Sequence, residues 1–259
     1  METLLRRLFR LPKREKSIFF FTLHKSASTL FGKVVLPHIS NLRHIDFAAK
    51  IYSGELKKPP VFETYGYIYG PIRVWQESHN PESELLLEPC LKNDFLASKK
   101  CLLFIRDPRD ILVSFYYSVA STHGISDVPE IALLQNQRRA EAMELGLDAY
   151  CLKIAPKIRE NFLTLQRVHE SCKYSLLLRY EDLVQNFSPF STQLRSFLDI
   201  HPESLQRLFN ESRPLQNENL SGHKRSGAIE GFRNKLTKNT LSTLNDQLRD
   251  ILITFNYPH

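Results

Sequence analysis

Four short groups of residues in this chain carry types and spacings that could do chemistry. The first, His24-Lys25-Ser26-Ala27-Ser28-Thr29, follows the apolar run 17–23 and precedes Leu30, Phe31, Val34 and Val35 at helical spacing. A polar turn between a buried strand and a helix start is a ready anion site, because unpaired backbone N–H groups and the helix dipole converge there. Lys25 adds a full charge, and Ser26, Ser28 and Thr29 add hydroxyl donors. Two common phosphate loops are absent: Gly32-Lys33 lies inside the helical pattern with no glycine five residues earlier, and G-x-G-x-x-G does not occur. The second group runs from Arg106 to Ser114, with Arg106 at the end of the apolar run 101–105 and Ser114 two turns into the helix that follows. A guanidinium and a hydroxyl on one crevice suit a phosphate monoester. Arg109 and Asp110, within this group, read as surface and helix-start residues. The third group is Arg179-Tyr180-Glu181-Asp182-Leu183 after another apolar run, and the fourth spans Arg225 to Thr237.

Taken together these groups resemble the sulfotransferases that use 3′-phosphoadenosine 5′-phosphosulfate (PAPS). HKSASTL at 24–30 is similar to that family's PKSGTTW loop. The resemblance implies that Lys25, Ser26, Ala27, Ser28 and Thr29 hold the 5′-phosphosulfate, with Leu30 in the place of the Trp that lies against the adenine. Ala27 stands where the family has Gly, and is expected to keep a negative φ. The run from Arg106 to Ser114 resembles R-x-P-R-D-x-x-x-S, which implies that Arg106 and Ser114 bind the 3′-phosphate. Tyr180 falls on the tyrosine of YEDL, which approaches the adenine. Residues 225–237 align without a gap to RKGxxGDWKxxFT, placing Arg225, Ser226 and Gly227 at the 3′-phosphate and Phe232 at the aromatic position. Ser226 for Lys loses a charge, and Glu230 stands where the family has Gly. The four groups occur in the family's order and imply its P-loop-like fold.

Sulfuryl transfer resembles phosphoryl transfer: an acceptor atom attacks in line while negative charge grows on the oxygen that leaves with the nucleotide. Positioning and electrostatics do most of the work, and cationic donors suffice without a metal. Lys25 is the natural partner for the leaving oxygen. A hydroxyl acceptor also needs a base. The family's histidine, in a K-x-H-x-P setting, has no counterpart in 67–75, which offers Arg73 and aromatics. Other members carry a carboxylate about twenty residues after the loop, and Asp46 stands 21 after Lys25, so Asp46 is the first candidate, with His44 and Glu63 behind it. Tyr65, Tyr67, Tyr69 and Trp75 either line an acceptor pocket or pack the core. By analogy with soluble bacterial members, the acceptor is a small molecule such as a natural-product alcohol and the location is the cytoplasm. Two other readings compete: a kinase using ATP, and a non-catalytic nucleic-acid binder exploiting the net charge of +7.

These groups need elements to hold them. Runs 17–23, 101–105 and 175–178 are apolar without alternation, as in strands buried on both faces, and long helical patterns separate them. This predicts a single α/β domain over 1–259 with a central parallel sheet flanked by helices. Asp107-Pro108 predicts a helix start, a second helix runs from about 149 to 172 with a disturbance at Pro156, and others follow near 181–185, 189–198, 202–210 and 238–255. The segment 59–71 reads as an ordered loop or edge strand. Residues 1–16 predict a short basic helix on the domain, and no stretch of 18 apolar residues would span a bilayer. Cys90, Cys101, Cys151 and Cys172 form no close pair and read as reduced thiols. Oligomeric state leaves no mark on the sequence.

Overall fold

Strands that are apolar on both faces must be covered on both, and this dictates the architecture. The computed structural model describes residues 15–75, 80–92, 94–122, 124–125, 129–215 and 226–259. Its sheet contains β1 (Ile18–Thr22), β2 (Arg43–Ile45), β3 (Tyr67–Arg73), β4 (Lys100–Ile105) and β5 (Tyr174–Arg179). All pairings are parallel and the order is β2-β3-β1-β4-β5. Side chains alternate across the sheet: Phe19 and Phe21 of β1 join Cys101, Leu103 and Ile105 of β4 in one apolar layer. Ile18 and Phe20 join Leu102 and Phe104 in the other.

The first layer is covered by α2 (Phe47–Tyr52), α3 (residues 83–91), α4 (Pro108–Tyr117), α5 (Pro129–Ser171), α9 (Lys238–Gln247) and α10 (Arg249–Thr254). The second is covered by α1 (residues 28–35), α6 (Tyr180–Gln185), α7 (Phe187–Phe197) and α8 (Pro202–Ser212). The predicted α/β domain with a central parallel sheet is the observed one.

Several details differ from expectation. Segment 67–73 is an internal strand, between β2 and β1, because Tyr69 and Ile72 are as buried as any core residue. Strand β2 was not predicted: three residues beginning with an exposed Arg43 leave no apolar run to read. Helix α5 is interrupted at Gly146, with φ 70 and ψ 175, and not at Pro156, which sits within it. Glycine reaches positive φ without a Cβ penalty, so the break falls there. The pattern 238–255 is divided at Leu248 into α9 and α10. Cys101 and Cys172 are paired as a disulfide with Cα atoms 6.6 Å apart, which corrects the expectation of four reduced thiols; Cys90 and Cys151 are free and buried. A pair 71 residues apart has no sequence signature. It forms because Cys172 lies between the end of α5 and β5, alongside β4. The predicted basic helix over 1–16 lies largely outside the described residues. No helix among the described residues is long and apolar enough to cross a membrane.

Candidate active site

The strand order changes direction at β1: the chain moves to β2 and β3 on one side, then to β4 and β5 on the other. In open parallel sheets the crevice beyond the strand ends at such a point is where ligands bind. The buried Thr22 hydroxyl donates to the Phe104 carbonyl at 2.8 Å, tying β1 to β4 at the floor of this crevice. Above it stand the 24–29 loop after β1 and Arg106 after β4.

The loop bends by alternating backbone signs. Lys25 has φ 65 and Ala27 has φ 60, while Ser26 between them is not among the positive-φ residues. Such alternation turns successive N–H groups toward one side, a nest for an anion. The expectation of a negative φ at Ala27 is therefore corrected: the loop needs the left-handed turn that glycine makes freely, and alanine makes it at a cost. Ser26 is fully buried and its Oγ has no hydrogen-bond partner. A buried hydroxyl without a partner is costly unless a ligand completes it. The Lys25 ammonium donates to Ser118 Oγ at 3.2 Å, which bends it back over α4's C-terminal end. Ser28 is buried at the first turn of α1, Thr29 and Leu30 are half-buried, and Leu30 packs against the second apolar layer.

Arg106 binds this loop to the fourth group. Its Nη1 donates to the Lys25 carbonyl at 3.4 Å and its Nη2 to the Ala228 carbonyl at 2.7 Å. Its guanidinium lies 4.7 Å from the centre of the Tyr180 ring, and the Tyr180 hydroxyl donates to the Gly227 carbonyl at 2.8 Å. Arg106 Nε is buried and unpartnered. Ser226 Oγ accepts the Ala228 N–H at 3.2 Å, and Gly227 has φ 69. Ser114 is half-buried on α4. Arg225 lies outside the described residues. Glu230, in a position where the resembled motif has glycine, adopts φ 55 and ψ 23.

Arg109 and Asp110 are not surface residues. Arg109 is 1% exposed and gives two side-chain bonds to Asp107, at 3.0 and 2.7 Å, and one to Asn245 at 2.8 Å. Its guanidinium also covers the Phe232 ring at 4.3 Å. Asp110 accepts the Phe232 N–H at 3.1 Å, and burial raises its pKa against the opposing pull of Arg106. This pair holds the 226–232 segment against α4. Their positions in the sequence carried a cap signal only; their burial comes from α9 and the 226–232 segment closing over them.

On the other side of the crevice Asp46 is the N-cap of α2, with Oδ1 accepting the Ala49 N–H at 3.0 Å. His44 Nε2 faces the Gly70 carbonyl at 2.7 Å, and since a carbonyl only accepts, that nitrogen donates. Glu63 is exposed. Sequence reasoning missed Glu82. It is 2% exposed, accepts the Arg73 N–H at 3.0 Å and its Nη1 at 3.4 Å, and receives the Tyr52 hydroxyl at 3.4 Å. Burial raises its pKa, Arg73 opposes this, and Asp46 pushes it up further. The one available signal was Asn80-Pro81, a helix start: Asn80 Oδ1 caps the Glu82 N–H at 3.0 Å. Tyr69 is core, stacked 5.6 Å from Phe47, and Tyr67 stacks on it at 5.7 Å; Tyr65 is exposed. Trp75 stacks on Phe115 at 5.0 Å and meets His24 edge-on at 5.5 Å, beside the loop. Among the described residues no three His, Cys, Asp or Glu side chains group as metal ligands.

The model of the sulfotransferase domain matches residues 15–250. A search of curated proteins finds no match. Among solved structures, mouse sulfotransferase SULT7A1 complexed with PAP is similar with a TM-score of 0.55 and 14% identity, over 97% of this chain and 88% of that one. Retinol dehydratase in a complex with retinol and PAP is similar with a TM-score of 0.52 and 13% identity, over 97% and 86%. At such identities these two share the fold. The family model spans nearly the whole described chain, including the loop at 24–29, Arg106, Tyr180 and the 226–232 segment, and on that match the chain belongs to the sulfotransferase family.

Proposed function

We propose that the enzyme moves a sulfuryl group from PAPS to a hydroxyl or amine of a small-molecule acceptor, a natural-product alcohol being the type we favour. The observation that carries the donor assignment is the 24–27 loop, left-handed at Lys25 and Ala27, with its buried, unpartnered Ser26 Oγ, clasped by Arg106. That cradle fits a phosphosulfate: backbone N–H groups and hydroxyls for its oxygens, and a cation beside the bond that breaks. Lys25, Ser26, Ala27, Ser28, Thr29 and Leu30 hold this end of the donor. Arg106, Ser114, Arg225, Ser226 and Gly227 hold the 3′-phosphate, and Tyr180 lies by the adenine. The PAP named in the two structural neighbours is the desulfated form of the same nucleotide, and supports this reading.

Lys25 stabilises the charge that grows on the leaving oxygen. Its ammonium donates to Ser118 Oγ at 3.2 Å, so the end of α4 helps to set its direction. Asp46 takes the acceptor's proton: Oδ1 is committed to the α2 cap, and the half-buried carboxylate sits at the end of β2. Glu82 is buried and committed to Arg73, which makes it a support of the neighbouring strand end. Trp75 and Phe115 offer the acceptor an apolar wall next to the loop.

Thermal stabilisation by adenosine 3′,5′-bisphosphate tests the donor assignment. Wild type is expected to melt several degrees higher with the nucleotide in large excess, and Arg106→Ala to lose most of that shift. A wild type indifferent to the nucleotide would sink the proposal.

A further inference from the structure

Behind the proposed nucleotide site lies a buried carboxylate that the transfer chemistry does not use. Glu181 is 7% exposed. Its Oε1 accepts the Asp107 N–H at 2.9 Å, immediately after Arg106, and its Oε2 accepts the Tyr257 hydroxyl at 3.3 Å. Every element packed around it brings charge or a titratable group. β4 and its turn bring Arg106 and Asp107, the latter neutralised by Arg109, and α4 brings Asp110. β5 brings Arg179, which pairs with Asp182 and lies 5.5 Å from the Tyr257 ring centre. Tyr180 precedes Glu181 on α6, and Arg213 from the end of α8 reaches the Leu183 and Val184 carbonyls. Arg106 directly precedes the Asp107 N–H that Glu181 accepts, and its guanidinium lies 4.7 Å from the ring of Tyr180, the residue before Glu181, so it adjoins both the Glu181 side and the crevice; among the described residues Glu181 forms no side-chain ion pair.

We propose that Glu181 is a positioning residue of the nucleotide site that takes up a proton when the 3′-phosphate binds Arg106, so that affinity for the nucleotide falls as pH rises. The inference rests on the donor assignment above. An anion that occupies Arg106 withdraws the positive field that supports the Glu181 carboxylate, and the charge that is left is buried and unpaired. A proton from solvent then adds to Oε2, which becomes a donor to the Tyr257 oxygen, while Oε1 keeps the Asp107 N–H and with it the end of β4. No bond other than O–H forms. Burial already raises Glu181 to about 7, outweighing the Asp107 N–H, so the uptake falls within an accessible pH range.

The test is calorimetric titration of adenosine 3′,5′-bisphosphate into the full chain, at pH 6 to 8, in buffers of different ionisation enthalpy. Wild type is expected to take up a fraction of a proton near pH 7 beyond that of Glu181→Gln, whose neutral amide keeps an oxygen for the Asp107 N–H. The wild-type Kd should rise relative to that of Glu181→Gln by up to about tenfold per pH unit above the inflection. Equal proton uptake and parallel Kd profiles in the two proteins would overturn the inference while leaving the donor assignment intact. No binding by wild type at pH 6 would overturn the donor assignment itself. Tyr257→Phe, a milder change, serves if Glu181→Gln does not fold: loss of a donor to the carboxylate should move the inflection upward, and an unmoved inflection counts against the inference.

Discussion

Lys25 illustrates how much depends on one side chain whose position is set by backbone sign. Its φ of 65 lifts the residue out of the strand direction, and its ammonium reaches Ser118 across 93 residues of sequence. Lys25→Ala is expected to raise the transfer barrier by about 2–4 kcal/mol, on the order of a hundredfold in kcat, while the melting shift with adenosine 3′,5′-bisphosphate persists. Asp46→Asn should lower kcat on the order of a hundredfold or more without weakening that nucleotide, whereas Glu82→Gln should leave kcat much closer to wild type. Equal kcat for wild type and Asp46→Asn would remove Asp46 from the mechanism. The residue types in this region were legible because a strand, a polar turn and a helix start follow one another in sequence. Glu82 was not, because its burial depends on Arg73 from the end of β3 and on Tyr52 from α2, contacts that only the folding of these elements together creates.

At the scale of elements, the junction of β1 and α1 holds strain that sequence comparison alone misjudged. Ala27 at φ 60 costs roughly 1–2 kcal/mol relative to a right-handed conformation. Ala27→Gly removes that cost and adds unfolded-chain entropy, for a net stabilisation of about 0.5–1 kcal/mol. Chemical denaturation should show the midpoint rising with an unchanged m-value; a lower midpoint would mean that the loop does not hold this conformation in solution. The junction of β4 and α4 behaves differently. Asp107 caps the helix as its sequence indicates, with its carboxylate accepting the Arg109 N–H at 2.9 Å. The same carboxylate also neutralises a buried guanidinium, a role that only the packing of Phe232 and Asn245 over Arg109 creates.

For the whole molecule, pH acts through two opposed sets of carboxylates. Asp250, bonded to Arg159, Asp148, bonded to Thr240 and Thr237, and Glu230, bonded to Arg233, have lowered pKa values. Their contribution is present above the usual carboxylate range and is lost on acidification. Glu181 is raised by burial from 4.5 to about 7, so the folded state holds its proton more tightly than the unfolded chain does. Its contribution is complete below about 4.5 and is lost as pH rises toward about 7. The melting temperature of Glu181→Gln relative to wild type should therefore increase across that interval and level off above it, and a constant difference would contradict the assignment.

The sequence by itself determined the fold class, the runs that form β1, β4 and β5, and the four groups that converge on the crevice. These rest on local signals: apolar runs, caps, and short motifs whose residues are neighbours in the chain. Tertiary structure decided what depends on contacts between distant segments. It placed 67–73 inside the sheet, joined Cys101 to Cys172, turned Arg109 and Asp110 into a buried clamp, and surrounded Glu181 with groups from four elements. The physical reason is that burial and electrostatic partnership are properties of three-dimensional neighbourhoods, and no residue's own type or spacing states who its neighbours across the fold will be.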